Sequence, residues 1–169
     1  ISDAGVLKRL DASLVGGGGI TEADQWRLTA NKTDSSDITA NLERNDSTGF
    51  GYIGTGMTES SGIFSFPSTG IYLVETTGSF EAIPDDSVNL IINVTTDNGS
   101  YTEVAKGLTA GDGSSTGFGS STTSFYFDVT NVSTHKVKFS TSSISSGTSL
   151  MGNSTMNFTY FNFIRLGDT

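Results

Sequence analysis

The stretch SGIFSFPSTGIYLV, residues 61–74, decides the fold of this chain. It contains a short apolar and aromatic run at Ile63–Phe66 and a second β-branched and aromatic run at Ile71–Val74. Runs of this kind, separated by turn residues, are typical of two β-strands with a tight connection. Pro67 has no N–H to donate to a sheet ladder, so it fits the exit of the first strand. Gly70 suits a turn that requires positive φ or a close backbone approach.

The same residues resemble the signature of C1q/tumour-necrosis-factor-like jelly rolls. In that family a Phe, five residues and then Gly-x-Tyr-x-aromatic span two core strands. Here Phe64, Gly70 and Tyr72 occupy those positions, with Val74 in place of the final aromatic residue. The resemblance covers roughly residues 40–169. It implies an all-β, antiparallel jelly-roll β-sandwich, and it implies a homotrimer because domains of this family are trimers.

Other strands are predicted where apolar runs lie between turn residues. These runs are Val88–Val94, Ser124–Val129, Lys136–Ser140 and the closing aromatic segment Asn157–Leu166. In the third of them, Val137 and Phe139 alternate with polar residues, which is the period-two pattern of a half-buried strand. Ala23–Ala30 predicts the first strand, with Trp26 and Leu28 on one face.

The composition supports an all-β protein with a thin core. The chain has 21 Gly against 2 Pro, and only 34% of its 169 residues are hydrophobic. Eleven Phe compensate, because each aromatic side chain buries a large area. A thin core in a jelly roll indicates that further apolar surface is buried between subunits. The aromatic side chains predicted to form the core or the trimer interface are Phe64, Phe66, Tyr72, Phe158, Tyr160 and Phe163.

Charge and cysteine content exclude several classes of function. The formal net charge is −9, which argues against nucleic-acid binding, since that requires a basic face to displace counterions from phosphates. No apolar run approaches the length that spans a bilayer, so membrane insertion is not expected. The chain has no cysteine, which rules out disulfides and thiol chemistry and favours a microbial or viral source.

Residues 1–19 differ in character from the rest of the chain. An amphipathic helix is predicted over Ala4–Leu14, with Asp3 at its cap position and Gly16–Gly19 after its end. The apolar side chains that recur at three- and four-residue spacing are Val6, Leu7, Leu10 and Leu14. A lone helix of this length is marginal in water, so it has to dock, either on its own jelly roll or on a larger assembly that it anchors. We therefore predict a helical arm and glycine hinge in residues 1–19 and a jelly-roll domain in residues 20–169.

Residues that could carry chemistry are sparse. The single histidine, His135, is accompanied by no Gly-x-Ser-x-Gly motif, so no enzyme is expected. Carboxylates at Asp85–Asp86, and at Asp97 with Glu103, could act as glycosidase acids, but adjacent surface carboxylates are more typical of solvated turns. Asp85–Asp86 and Asp97–Gly99 are also oxygen-rich enough for a structural calcium ion, although Asp97–Gly99 is equally a hairpin-turn sequence. No other cofactor is expected.

Two functions from different classes fit these features. An acidic, Cys-free β-sandwich with an N-terminal arm resembles bacteriophage virion surface proteins, of the capsid-decoration, head-fibre or tail-fibre-tip kind. This predicts a non-enzymatic structural protein whose arm binds the major capsid protein or a fibre shaft, and whose loops could meet a host surface receptor. The alternative is a secreted or cell-surface C1q-like module that binds a carbohydrate or a protein receptor.

Overall fold

The computed structural model describes residues 19–81, 87–111 and 117–169. Eleven β-strands and no helix occur in these ranges, so nothing helical there could cross a bilayer. In chain order the strands are β1 (Ala23–Leu28), β2 (Leu42–Arg44), β3 (Thr58–Ser60), β4 (Ile63–Ser65), β5 (Gly70–Glu81), β6 (Val88–Thr95), β7 (Thr102–Thr109), β8 (Phe118–Val129), β9 (Lys136–Ser142), β10 (Ser149–Leu150) and β11 (Tyr160–Gly167).

The strands form two antiparallel sheets that face each other. Sheet I has the order β2-β1-β11-β5-β8, and β10 pairs with the end of β5 on the same edge as β11. Sheet II has the order β3-β4-β9-β6-β7. This two-sheet architecture confirms the predicted fold class. The predicted helical arm, with Val6, Leu7, Leu10 and Leu14, lies outside the described residues.

The stretch 61–74 links the two sheets. Its first strand, β4, belongs to sheet II, whereas its second strand, β5, belongs to sheet I. Strand, turn and strand are therefore as predicted, and the turn crosses from one sheet to the other. The Phe64 side chain is fully buried, and its ring centroid lies 5.0 Å from that of Phe163 and 5.7 Å from that of Phe139. One residue of sheet II thus packs against both layers of the sandwich.

Gly70 occupies a position that other residues cannot adopt without strain. Its φ is +146°, and a Cβ built on it would lie 2.6 Å from the Gly167 carbonyl oxygen. Arg165 lies against the same position because its Nε donates to the Thr69 carbonyl oxygen at 2.8 Å. Both expectations for this glycine, positive φ and close backbone approach, are confirmed.

Aromatic rings pack against one another in the core. Phe139 and Phe161 approach to 4.3 Å between ring centroids, and Tyr72 lies 4.7 Å from Phe66. Trp26 is half-buried and packs edge-on against Phe64, as predicted for the inner face of β1. The aromatic side chains that are 5% exposed or less are Phe64, Phe66, Tyr72, Phe80, Phe127, Phe139, Phe161 and Phe163.

Two strands extend six or more residues beyond the predicted bounds. β5 continues past Val74 to Glu81, and β8 begins at Phe118 rather than at Ser124. The two extensions pair with each other through the ladder from Glu75–Ser124 to Glu81–Phe118. Their residues are mostly small and polar, so backbone hydrogen bonds define these strands in the absence of an apolar pattern. Small size is required at Gly78, where a Cβ would lie 2.8 Å from the Leu90 side chain.

Replacing Gly70 by alanine is expected to lower the free energy of unfolding by roughly 1–3 kcal/mol through backbone strain. The clash with the Gly167 carbonyl oxygen adds to this cost. Urea unfolding followed by circular dichroism measures the change. Gly51→Ala is the matched control, because a Cβ at Gly51 would have no neighbour within 4 Å. Equal midpoints for the two variants would contradict the role assigned to Gly70.

Candidate subunit interface

The face of sheet I that points away from the core carries a row of apolar side chains. Directly opposed residues in antiparallel strands share one face of a sheet. The pairs Ala23–Ile53, Ala23–Ile164, Ile164–Leu73 and Leu73–Tyr126 connect four strands and the segment that follows β2. We call this set the apolar row; its members are Ile53, Ala23, Ile164, Leu73 and Tyr126.

The apolar row is open to solvent in the single chain. Tyr126 at one end is 66% exposed, and Ile53 at the other end is 48% exposed. Ala23, Leu73 and Ile164 between them are half-buried. Contiguous apolar surface of this kind on a soluble protein marks an interaction site. The outer face of sheet I is therefore the candidate subunit interface.

A line of amide and carboxylate side chains runs beside the apolar row. Gln25 Nε2 donates to Asn162 Oδ1 at 2.7 Å, and Asn162 Nδ2 donates to Glu75 Oε1 at 2.9 Å. Gln25 Oε1 accepts from Asn45 Nδ2 at 2.7 Å. These groups are paired within one protomer, so covering the face does not leave them without hydrogen-bond partners. The polar part of the face is already organised for burial.

Arg27 fixes one edge of this face. It projects on the outer side of β1, yet its side chain is fully buried. Its Nε donates to Glu43 Oε1 at 2.7 Å, its Nη1 donates to Ser47 Oγ at 2.8 Å and to Asn45 Oδ1 at 3.2 Å, and its Nη2 pairs with Asp46. The guanidinium presents several donors in a fixed plane, which suits this set of acceptors. Arg27 thereby holds β2 and the 45–47 segment over the edge of the sheet.

The structure separates the aromatic residues that sequence analysis assigned jointly to core or interface. Phe64, Phe66, Tyr72 and Phe163 lie in the interior of the protomer and are at most 4% exposed. Because these four side chains are buried inside the protomer, a second subunit cannot contact them. Tyr160 lies on the outer face of sheet I, opposite Arg27 and Thr77. Phe158 is half-buried and precedes β11.

Sequence reasoning missed the apolar row itself. In the run Ile71–Val74 every residue is apolar, so the pattern does not say which face is the core. The segments around Tyr126 and Ile164 have the same property. An apolar run on both faces is the mark of a strand covered on both sides. That signal was present in the sequence, and it points to a partner on the outer face.

His135 is a packing residue in this structure. It is 7% exposed, and its ring stacks on Phe127 with 5.5 Å between centroids. Its Nε2 lies 3.2 Å from Thr130 Oγ1, and its Nδ1 lies 3.1 Å from Thr134 Oγ1. Both ring nitrogens are thus engaged by threonine hydroxyls, which is an arrangement for burial rather than for proton transfer to a substrate.

Asp97 forms the turn between β6 and β7. Its Oδ1 accepts from Gly99 N and Ser100 N, both at 2.8 Å, and from Thr95 Oγ1 at 2.7 Å. The Thr95 hydroxyl and then these backbone N–H groups lower the pKa of Asp97, because they stabilise the ionised carboxylate. In the described ranges, no three or more Asp, Glu or His side chains gather in a group that could hold a metal ion. Asp85 and Asp86 lie outside those ranges.

Acid is expected to weaken this turn. The folded pKa of Asp97 is lowered, so its contribution to stability is present above the unfolded value of about 3.9 and is lost as pH falls through the folded value. Asp97→Asn should therefore melt below the wild type at pH 7, and the difference should shrink between pH 4 and pH 2. Thermal denaturation across this range measures it, with the exposed Glu103→Gln as control. A pH-independent difference would contradict the assignment.

Comparison with known proteins identifies the fold. No protein-family model and no curated protein sequence matches the chain, but solved structures do. Eiger TNF from S. frugiperda matches with a TM-score of 0.68 and 12% identity, over 89% of this chain and 96% of that one. Murine APRIL at pH 8.5 and at pH 5.0 matches with a TM-score of 0.62 and 12% and 14% identity, over 86% of this chain and 98% of each of those. The protein is a tumour-necrosis-factor-like jelly roll, and at these identities the likeness concerns the fold alone.

Proposed function

We propose that the protein is a non-enzymatic homotrimer that assembles through the outer face of sheet I and serves as a structural protein of a virion surface. The observation that carries the assembly is the apolar row. Burial of apolar area is the main favourable term in protein association, and this row crosses the centre of a broad face. The neighbouring amide groups of Gln25 and Asn162 are already hydrogen-bonded within the protomer, which lowers the cost of covering them.

A closed ring of three suits this face. Jelly rolls of the family that the sequence resembles are trimers, and the described fold is of that type. The two ends of the apolar row differ, since one carries Tyr126 and the other carries Ile53. One end of a subunit can therefore meet the other end of its neighbour, and contacts of this kind repeated head to tail close into a ring when the rotation between subunits allows it.

The virion role rests on composition and on the N-terminal arm. The jelly-roll part of the chain is acidic, lacks cysteine and is rich in Gly, Ser, Thr and Asn. An amphipathic segment and four consecutive glycines precede it. These features fit an accessory protein that is attached to a larger particle. Three arms in one trimer would bind cooperatively through effective concentration. The partner of the arm would be the major capsid protein or a fibre shaft.

The alternative is a secreted or cell-surface binding module. The fold likeness to Eiger TNF and to murine APRIL supports it as well as it supports a virion protein. In this case the loops at the ends of the sandwich would bind a carbohydrate or a protein receptor. Co-sedimentation with virions separates the two roles: the virion protein predicts attachment that requires the arm, whereas the module predicts no attachment.

Placing a charge in the middle of the apolar row should abolish the trimer. In a Leu73→Glu variant each subunit would bury a carboxylate near Glu75, and desolvation of an unpaired charge is costly. Multi-angle light scattering is expected to show a trimer for the wild type and a folded monomer for the variant.

Ile63→Glu is the matched control, because Ile63 is a 36% exposed apolar residue of sheet II. It should remain trimeric. A wild-type monomer at micromolar concentration would refute the assembly, and a trimeric Leu73→Glu variant would place the interface elsewhere.

Deletion of residues 1–19 should leave a folded trimer that no longer attaches to its platform, because the first strand of the jelly roll begins at Ala23. Circular dichroism and light scattering test the first half of this prediction. Co-sedimentation of the full-length and truncated proteins with virions tests the second half. Unfolding of the truncated protein would mean that the arm belongs to the domain's own core.

A further inference from the structure

The outer face of sheet I contains a pocket at one end of the apolar row. The segment after β2 lies beside β1 and β11, and together they border an open depression of about 350 Å³. Ala23 and Ile164 form an apolar part of its lining, Phe50 and Gly51 come from the turning segment, and Gln25 and Asn162 supply amide groups. We call this depression the Phe50 pocket.

The Phe50 pocket has the size and chemistry to hold one phenol ring. A cavity of about 150 Å³ accommodates benzene, so the space is ample for an aromatic side chain. Gln25 and Asn162 are hydrogen-bonded to each other through one N–H and one lone pair. Each primary amide still has a further N–H or lone pair available, and a hydroxyl group entering the pocket could use it.

Tyr126 is the exposed aromatic side chain at the opposite end of the apolar row. It projects from the outer face of β8 and is 66% exposed. Tyr126 pairs with Leu73, and Leu73 pairs with Ile164, so Tyr126 lies two strands away from the nearest pocket residue, Ile164, and three strands away from Ala23. At about 4.8 Å per strand, these separations are about 10 Å and about 14 Å. Tyr126 therefore cannot reach the pocket of its own chain.

Tyr126 and the Phe50 pocket lie at the same height along the strands. Both belong to one cross-strand row, since Ala23 and Ile164 line the pocket and are also members of the apolar row. A head-to-tail contact closes into a ring only when it involves no shift along the axis; with a shift it generates a filament. A projection and a pocket at equal height satisfy this condition.

We propose that Tyr126 of each subunit inserts into the Phe50 pocket of the next subunit around the ring. This inference rests on the proposed trimer and adds the contact that sets its geometry. The Tyr126 ring packs against Phe50 and Ile164, and its hydroxyl meets the Gln25 and Asn162 amides. The occupant of the pocket is a second copy of this chain. The reason is that the apolar row has the pocket at one end and the exposed Tyr126 side chain at the other.

Cysteine cross-linking tests the contact directly, since the natural chain contains no cysteine. The double variant Tyr126→Cys/Gly51→Cys, treated with a mild oxidant, should run as a covalent trimer on a denaturing gel. Gly51 tolerates a side chain because a Cβ there has open space. The two sites are too far apart within one chain for a disulfide, which needs Cα atoms within about 7 Å, so any link joins two subunits.

Phe118→Cys/Gly51→Cys is the matched control. Phe118 lies on the same strand and face and is 73% exposed, but it pairs with Glu81, away from the pocket. It should give no covalent trimer. In parallel, Tyr126→Ser should raise the concentration at which the trimer dissociates at least tenfold, whereas Phe118→Ser should leave it within twofold.

The outcomes separate this inference from the proposed function. A Tyr126→Cys/Gly51→Cys variant that is trimeric by light scattering but does not cross-link would overturn the inference and leave the trimer standing. Dimers formed by Tyr126→Cys alone would place Tyr126 at the threefold axis and would also overturn it. A wild-type protein that is monomeric would refute both the proposed trimer and the Tyr126 contact.

Discussion

The packing of Phe64 between the two sheets is the contact on which the rest of the structure depends. Its ring lies within 5.0 to 6.2 Å of the rings of Trp26, Phe139, Phe161 and Phe163, which come from both layers. The four Phe side chains of this cluster are at most 1% exposed, and each aromatic side chain buries a large area. It also decides which way every neighbouring strand faces, since a one-residue slip would turn the cluster toward solvent.

The orientation of the core determines the outer face of sheet I. Once Tyr72 and Val74 point inward, Leu73 must point outward, and the pairing of β5 with β8 and β11 aligns Tyr126 and Ile164 with it. The apolar row is thus a consequence of strand parity. A sandwich that needed only one covered face would carry polar residues at these positions, as it does beside them at Gln25 and Glu75.

Sequence patterns predicted the strands that bury apolar side chains and missed those that pair through the backbone alone. The stretch 61–74, β6, β9 and β11 were predicted because their residues alternate or cluster by hydrophobicity. The Gly- and Ser-rich half of β8 was not, since its place is set by the ladder to β5. The candidate interface was the hardest feature to predict from the sequence. Around Leu73 both faces of the strand are apolar, and only the register of the folded sheet shows which face is not covered by the core. The segment after β2 depends on Arg27, whose partners 16 to 20 residues away follow no local pattern.

The burial of Arg27 has a consequence for coexisting variants of this protein. Its guanidinium positions the 45–47 segment, and that segment leads directly into the turn that carries Phe50. A substitution at Arg27 would therefore alter the shape that one chain presents to another, at a distance from the substituted residue. Chains that differ here would be poor partners for each other even if both folded well. In the proposed assembly, homologous copies produced in one cell could in this way sort into separate assemblies without any substitution among the residues that touch.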